Sequence, residues 1–449
     1  VESGREIGVS SLRADRVARK PDIARLLRMG GYKTLTVASD APSQRLRKEI
    51  SKGTLEKHII DCARQAAEHK YRILKVYMML GLPDENTEDI QELIKFTLEK
   101  LSNTSSDEMY WKARQELILR HTGEHPYEIS GPDSEKLLQK IFPRDISKIK
   151  VGRCSYQFAC YHDGGMISDG LLLKLSENKF WFVQGDGHLF GWYKAHSINL
   201  NVHIADPNVW VSQIQGPKSL KLLDKLLDEP IKGSFKYFDW KEVSISSQKV
   251  IISRTGFTNE LGWEIYLKPE NDAKKIGDLI LEEGKKIGML LTASPGFRAR
   301  RIEGGLLSSS RDFTKDRTPF SVGLGRFINF AKGDFIGREY LINADKECLT
   351  WGMRVENSFA VVDTEILKNN KNIGLVTSST WSPYQVCGVG IVHLNNNENG
   401  PGDIVDVKCT DGKLHKGQIC KLPMYDEQGE IVRGINRNIP NEPKPWVGV

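Results

Sequence analysis

The chain has 449 residues, 39% of them apolar and 27% charged, enough for several domains with proper cores. No run of eighteen apolar residues occurs, so nothing reads as a membrane-spanning helix, and the first thirty residues are too polar for a signal peptide. The net charge of +6 comes from lysines and arginines scattered among acids, which argues against a nucleic-acid binder, and seven cysteines without a CxxC pair read as reduced thiols of a cytoplasmic protein.

The chain begins with Val rather than Met, which suits a fragment or a processed product. Residues 1–105 read as a partial parallel βα segment. "KTLTVAS" (33–39) and "ILKVYMML" (73–80) are apolar runs of the kind that form buried parallel strands. After the second, "GLPDENTEDIQELIKFTLEKL" gives a turn, then early acids, then Ile90, Leu93, Ile94, Leu98 and Leu101 at helical spacing. About three such units fit, at most half of an eight-fold βα barrel, which needs roughly 200 residues. The polar stretch "LSNTSSDE" (101–108) marks a boundary.

Residues 106–344 read as one α+β domain. Within it "EISGPDSEKLLQKIF" (128–142) is echoed by "QIQGPKSLKLLDKLL" (213–227): a strand end, a Gly-Pro start and an amphipathic helix. Strands follow each copy, "GRCSYQFACYHDGG", "LLLKLSEN" and "KFWFVQG" after the first, "VIISRTG" and "WEIYLKP" after the second. Two related αβ halves facing each other would leave a ligand groove between them. Residues 345–449, with "IGLVTSST", "VCGVGIVHL" and "DIVDVKCT" between Gly, Asn and Asp turns, read as a small antiparallel barrel with a tail.

Two motifs need weighing by their chemistry. "HTGEHPYE" (121–128) looks like a zinc-finger linker, but His121 and His125 have no cysteine partners, so no metal is expected. "HDGGMISDG" (162–170) sets a carboxylate, Asp169, just ahead of the apolar run "LLLKL". Alone, that acid reads as a turn cap; beside an apolar groove, it could stabilise charge developing on a ligand.

The N-terminal segments "ASDAPSQRLRKEISKG" and "LKVYMMLGLPDENTEDI" resemble the later part of radical S-adenosylmethionine enzymes. Those enzymes hold an iron–sulfur cluster on three closely spaced cysteines, and here Cys62 is the only cysteine before residue 150. Radical chemistry is therefore excluded for this chain alone, and the segment reads as a remnant, a docking surface or a fusion.

Residues from about 118 to 435 resemble the glycine cleavage T-protein (aminomethyltransferase) family. The likeness rests on "GPDSEKLLQKIFPRDISKIKVGRCSYQFACYHDGGMISDGLLLKL", followed in order by "IQGPKS", "SRTGFTNELGWEIYL", "RIEGGL" and "TPFSVGLGRFINFAKGDFIGREYL". "GLVTSSTWSP" matches the family's C-terminal barrel. The resemblance implies tetrahydrofolate as cofactor and a methyl or aminomethyl transfer to it. It sets Tyr156 and Asp169 against the folate, with Asp169 as the catalytic residue, and Glu264 on the pterin edge, where a carboxylate accepts two N–H bonds. Phe257 would lie near the pterin and Asp186 near the folate site, while Trp192 and Trp263 could face a cationic donor.

The sequence also departs from the family pattern. Phe297 in "GFRAR" stands in place of the family's folate-site arginine, "RHTGE" (120–124) stands in place of the family's "DVSHM", and "QGD" carries Asp186 where an asparagine is expected. Roughly forty residues that open the folate domain are displaced by the βα segment. With "RIEGGLLS" and "TWSP", these departures lean towards a branch similar to dimethylsulfoniopropionate demethylase. Transfer from a lipoyl carrier protein and a folate-binding module without transfer activity are the alternatives; no nucleic acid or membrane partner is expected.

Overall fold

The computed structural model describes residues 11–71, 73–79, 81–86, 88–89, 92–93, 106–121, 124–185, 187, 189–291 and 295–448. Two compact units divide it, Val1–Ser106 and Asp107–Val449.

The first unit runs β1 (Leu12–Arg13), α1 (Ala14–Arg19), α2 (Asp22–Met29), β2 (Thr34–Asp40), α3 (Gln44–Glu49), α4 (Glu56–Glu68) and β3 (Ile73–Met78). Its strands form a parallel sheet in the order β1-β2-β3. Alternation along β2 sends Leu35 and Val37 into a core with Ala14, Val17, Ile59, Cys62 and Ala66, the last three a helical stripe of α4. Strand β3, expected to be buried on both faces, is an edge strand: Leu74 and Val76 meet the helices, while Ile73 and Tyr77 are 50% and 48% exposed. Most of the helix expected over 90–101 lies outside the described residues.

In the second unit, α5 (Ser106–Gln115) leads into β4 (Ile118–His121). The internal echo is a repeat of chain path. The first half runs β5 (His125–Ser130), α6 (Ser134–Ile141), β6 (Cys154–Cys160), β7 (Met166–Ser176), β8 (Lys179–Gln184), α7 (Leu189–His196) and β9 (His203–Ala205). The second runs β10 (Trp210–Gln215), α8 (Ser219–Leu226), β11 (Trp240–Ile245), β12 (Gln248–Ser253), β13 (Gly262–Leu267), α9 (Ala273–Lys286) and β14 (Leu290–Leu291). Their sheets have the orders β6-β7-β8-β5-β9 and β11-β12-β13-β10-β4-β14, so in each half three strands return beside the strand that precedes the helix. Strand β11 is an element the sequence reading passed over.

The Gly-Pro starts are equivalent in detail. Gly131 and Gly216 have φ of +118° and +121°, and a Cβ on either would come within 2.7 or 2.5 Å of a backbone oxygen, Asn201 O or Glu116 O. Each half covers the outer face of its sheet with its own helix: α6 packs Leu137, Leu138 and Ile141 against Leu172, Phe180 and Phe182, and α8 packs Leu222, Leu223 and Leu226 against Ile252, Trp263 and Ile265.

After α10 (Pro295–Glu303) and α11 (Arg338–Asn343), β15 (Thr350–Val355), β16 (Glu365–Lys368), β17 (Lys371–Ser382), β18 (Cys387–Leu394), β19 (Ile404–Lys408) and β20 (Leu414–Cys420) close an antiparallel barrel. A shared core of Phe158, Met166, Ile302 and Phe313 with barrel residues Cys387, Val389 and Ile391 fixes the barrel to the folded halves. So does a buried ionic cluster that Ser382 of β17 joins by donating to Glu303: Arg114 Nη2 lies 2.8 Å from Glu303 Oε2, Arg300 pairs with Glu260 and Glu303, and Tyr110 donates to Glu303. Breaking one such buried pair typically costs about 3–5 kcal/mol. The described cysteines form no disulfide, and among the described residues no helix is long and apolar enough to cross a membrane.

Candidate functional site

The site follows from strand alternation on the two inner sheet faces. Cys154, Leu173, Trp181 and Val183 of one sheet meet Val211, Ile251 and Tyr266 of the other in an apolar inter-sheet core. Two residues further along each strand the same faces turn polar. Leu171 gives way to Asp169 and Cys154 to Tyr156; opposite them Val211 gives way to Gln213, Tyr266 to Glu264 and Ile251 to Ser253.

Tyr156 and Asp169 meet on neighbouring strands, where the Tyr156 hydroxyl donates to Asp169 Oδ2 at 2.6 Å. Burial pushes the phenol well above its ordinary pKa, and the Asp169 charge adds to this. The hydroxyl therefore remains a donor at neutral pH.

On the facing sheet, register aligns Arg120, Gln213, Glu264 and Ser253 in one row across four strands. The buried Glu264 carboxylate is held at both oxygens: Gln213 Nε2 donates to Oε1 at 2.8 Å, and Thr255, Tyr266 and Ser253 donate to Oε2 at 2.7, 2.8 and 3.3 Å. Oε1 thus keeps acceptor capacity for a further donor. Gln213 Nε2 also reaches Glu124 Oε1 at 3.1 Å, whereas its own Oε1 is buried without a hydrogen-bond partner among the described residues. The Arg120 guanidinium lies 4.3 Å from the Phe297 ring centroid; burial lowers its pKa, against the opposing charges of Glu124 and Glu264.

Beside Tyr156 opens a cavity of about 670 Å³, lined by Arg144, Arg254, Arg433, Lys236, Tyr237 and Phe327 among others. Arg144 donates to the Tyr156 carbonyl at 3.2 Å, and Arg254 donates to the carbonyls of Phe235 and Arg433 at 3.0 and 2.6 Å. Tyr237 is pushed up to about 12, first by burial and then by the Glu264 charge, so the cavity wall adjoins the polar row. A second space of about 820 Å³ shares Arg144, Arg153 and Phe327 and adds Lys148, Lys150 and Arg326, with Asp145 as its acid. Such a lining suits a ligand with an anionic end.

The expected residues fall into four groups. Tyr156, Asp169 and Glu264 lie on the facing inner surfaces. Phe257 packs with Phe297, Ala113 and Ile118, next to the Arg120 stack. Trp192 and Trp263, expected to face a donor, lie elsewhere: Trp192 packs on the outer, helix-covered core with Tyr161 and His196, and Trp263, one residue from Glu264, points to the opposite face against Phe235. Neither lines the Tyr156 cavity. Asp186 lies outside the described residues.

The sequence reading missed Gln213, Arg120 and the cavity arginines. Gln213 is two residues before the "QGP" turn, so its place opposite Glu264 depends on register. Arg433 comes from the segment after the barrel.

Comparisons agree with this architecture. Residues 96–332 match the family model of the GCVT N-terminal domain, and residues 351–426 match that of the glycine cleavage T-protein C-terminal barrel domain. The chain is 30% identical to an aminomethyltransferase of Bacillus subtilis over 68% of its own length and 86% of that protein. It is 32% identical to one of Oceanobacillus iheyensis over 68% and 85%. The glycine cleavage system aminomethyltransferase T of Bartonella henselae has the same fold, with a TM-score of 0.66 at 20% identity, over 72% of this chain and 90% of that one. The chain belongs to the glycine cleavage T-protein family.

Proposed function

We propose that the protein is a tetrahydrofolate-dependent one-carbon transferase of aminomethyltransferase type. The observation that carries this reading is the buried row on the second sheet. Gln213 leaves an acceptor unsatisfied beside a carboxylate with room for one more donor, and the unmet acceptor of a buried group costs about 1–3 kcal/mol. A pterin edge, with neighbouring N–H donors, supplies what both lack. The basic cavity beside Tyr156 fits the carboxylate end of the same molecule.

In this reading Asp169, held by the Tyr156 hydroxyl, orients the reacting nitrogen and stabilises the positive charge that develops as that nitrogen attacks carbon. The apolar inter-sheet core keeps water from one side of the reaction. An aminomethyl group on a lipoyl carrier protein is the donor that the family relationship favours. Demethylation of a small onium donor such as dimethylsulfoniopropionate is the second reading, motivated by Phe297 and by the "RHTGE" segment.

Calorimetric titration of tetrahydrofolate into the full chain tests the proposal, with micromolar binding expected and weakening expected in Glu264→Ala. Absence of binding would sink it. Consumption of one donor and not the other, in parallel assays with bound folate, decides between the two readings.

A further inference from the structure

We infer that Arg120 is a ligand-binding residue of this site, standing in space for the arginine that the family resemblance would place at position 297. The inference rests on the folate reading and deepens it. Position 297 holds a buried phenylalanine, and the guanidinium found there comes instead from β4, 4.3 Å from the Phe297 ring centroid. Arg120 shares the inner face with Gln213 and Glu264: Leu119 turns to the helix-covered core, so Arg120 turns the other way, opposite Gln213 in register.

Among the described residues no hydrogen bond and no carboxylate within 4.0 Å engages its guanidinium, although burial disfavours its charge. A half-buried arginine with five donors and no acceptor is poised for a ligand oxygen. The row then offers a donor at Arg120 and acceptors at Glu264 Oε1 and the orphaned Gln213 Oε1. This order complements a ring edge that carries one carbonyl oxygen next to N–H donors. Arg120 takes the ring carbonyl, and the neighbouring acceptors take the N–H groups.

The test is calorimetric titration of tetrahydrofolate and of its 4-amino analogue, in which a donor replaces the ring carbonyl, into full-length wild type, Arg120→Gln, Arg120→Ala and the transposed Arg120→Phe/Phe297→Arg. Wild type should bind tetrahydrofolate at least tenfold more tightly than the analogue, because a site built for an acceptor rejects a donor. Arg120→Gln and Arg120→Ala should lose at least tenfold in affinity for tetrahydrofolate and most of the discrimination. The transposed variant should recover to within about threefold of wild type. Unchanged affinity and discrimination in Arg120→Gln would overturn the inference while leaving the folate reading intact. A transposed variant that melts like wild type yet stays as weak as Arg120→Ala would also overturn it. If wild type binds neither compound, the folate reading fails and the inference with it.

Discussion

The two halves of the second unit share a chain path and differ in what they face inward. Both turn through a Gly-Pro start at nearly the same φ, raise a short amphipathic helix and return three strands beside the first. Both seal the outer face with that helix. On the inner face the first half presents one tyrosine–aspartate pair, and the second a glutamine, a glutamate and a serine bound into a network, with Arg120 of β4 aligned beside the glutamine. The outer faces must bury helices and so stay alike in chemistry; the inner polar patches carry no such duty and have diverged. In the proposed reading the first half supplies the carboxylate that follows the reaction, and the second supplies the template that holds the ring.

The largest expected effect breaks this division of labour. Asp169→Asn should lower the rate of one-carbon transfer to tetrahydrofolate by about 10²–10⁴-fold, the usual range for a charged group acting in the transition state, with folate affinity little changed. Glu264→Gln should do the reverse, weakening folate binding while sparing the transfer rate at saturation. Steady-state kinetics with calorimetric Kd values on both variants would expose the alternative: matched losses in both parameters for both residues mean that the two inner faces act as one unit.

The smaller, structural effect sharpens the likeness. Gly131→Ala and Gly216→Ala each put a side chain at a φ near +120° and a Cβ within 2.7 Å of a backbone oxygen. Residues forced into such regions cost about 1–3 kcal/mol. The two variants should lose similar stability in urea denaturation, because the two turns are made the same way. A loss confined to one of them would mean that the echo is one of sequence, with only one turn under tertiary constraint.

Much of this was legible in the residues themselves. The repeat shows because Gly, Pro and an amphipathic stripe are local requirements of a turn and a helix. The barrel shows because short strands need Gly, Asn and Asp turns. Tyr156 and Asp169 were reached through the family likeness, and their contact then needs only two adjacent antiparallel strands. What escaped depends on register and on which face a residue takes. Trp263 and Glu264 are neighbours in sequence and opposites in space, so aromatic content alone could not assign the tryptophans. Gln213 and Arg120 became candidate site residues only when three strands were aligned. The exposed β3 illustrates the same limit, since an apolar run does not say whether it lies at a sheet's centre or edge.

The smallest effect tests the first half from within. Tyr156→Phe removes the hydroxyl that donates to Asp169 at 2.6 Å and leaves the ring against Phe327 in place. A hydrogen bond to a charged group contributes about 1.5–3 kcal/mol, but Asp169 is half-buried and water can replace the lost donor, so about 1 kcal/mol of stability should be lost. Because burial keeps the phenol protonated through neutral pH, that loss should be the same at pH 6 and pH 8 in denaturant titrations. Transfer should slow by less than in Asp169→Asn, since the carboxylate remains and only its orientation loosens. A Tyr156→Phe rate as low as that of Asp169→Asn would instead make the hydroxyl itself a participant in the reaction, and the pair, rather than the aspartate, the chemical contribution of this half.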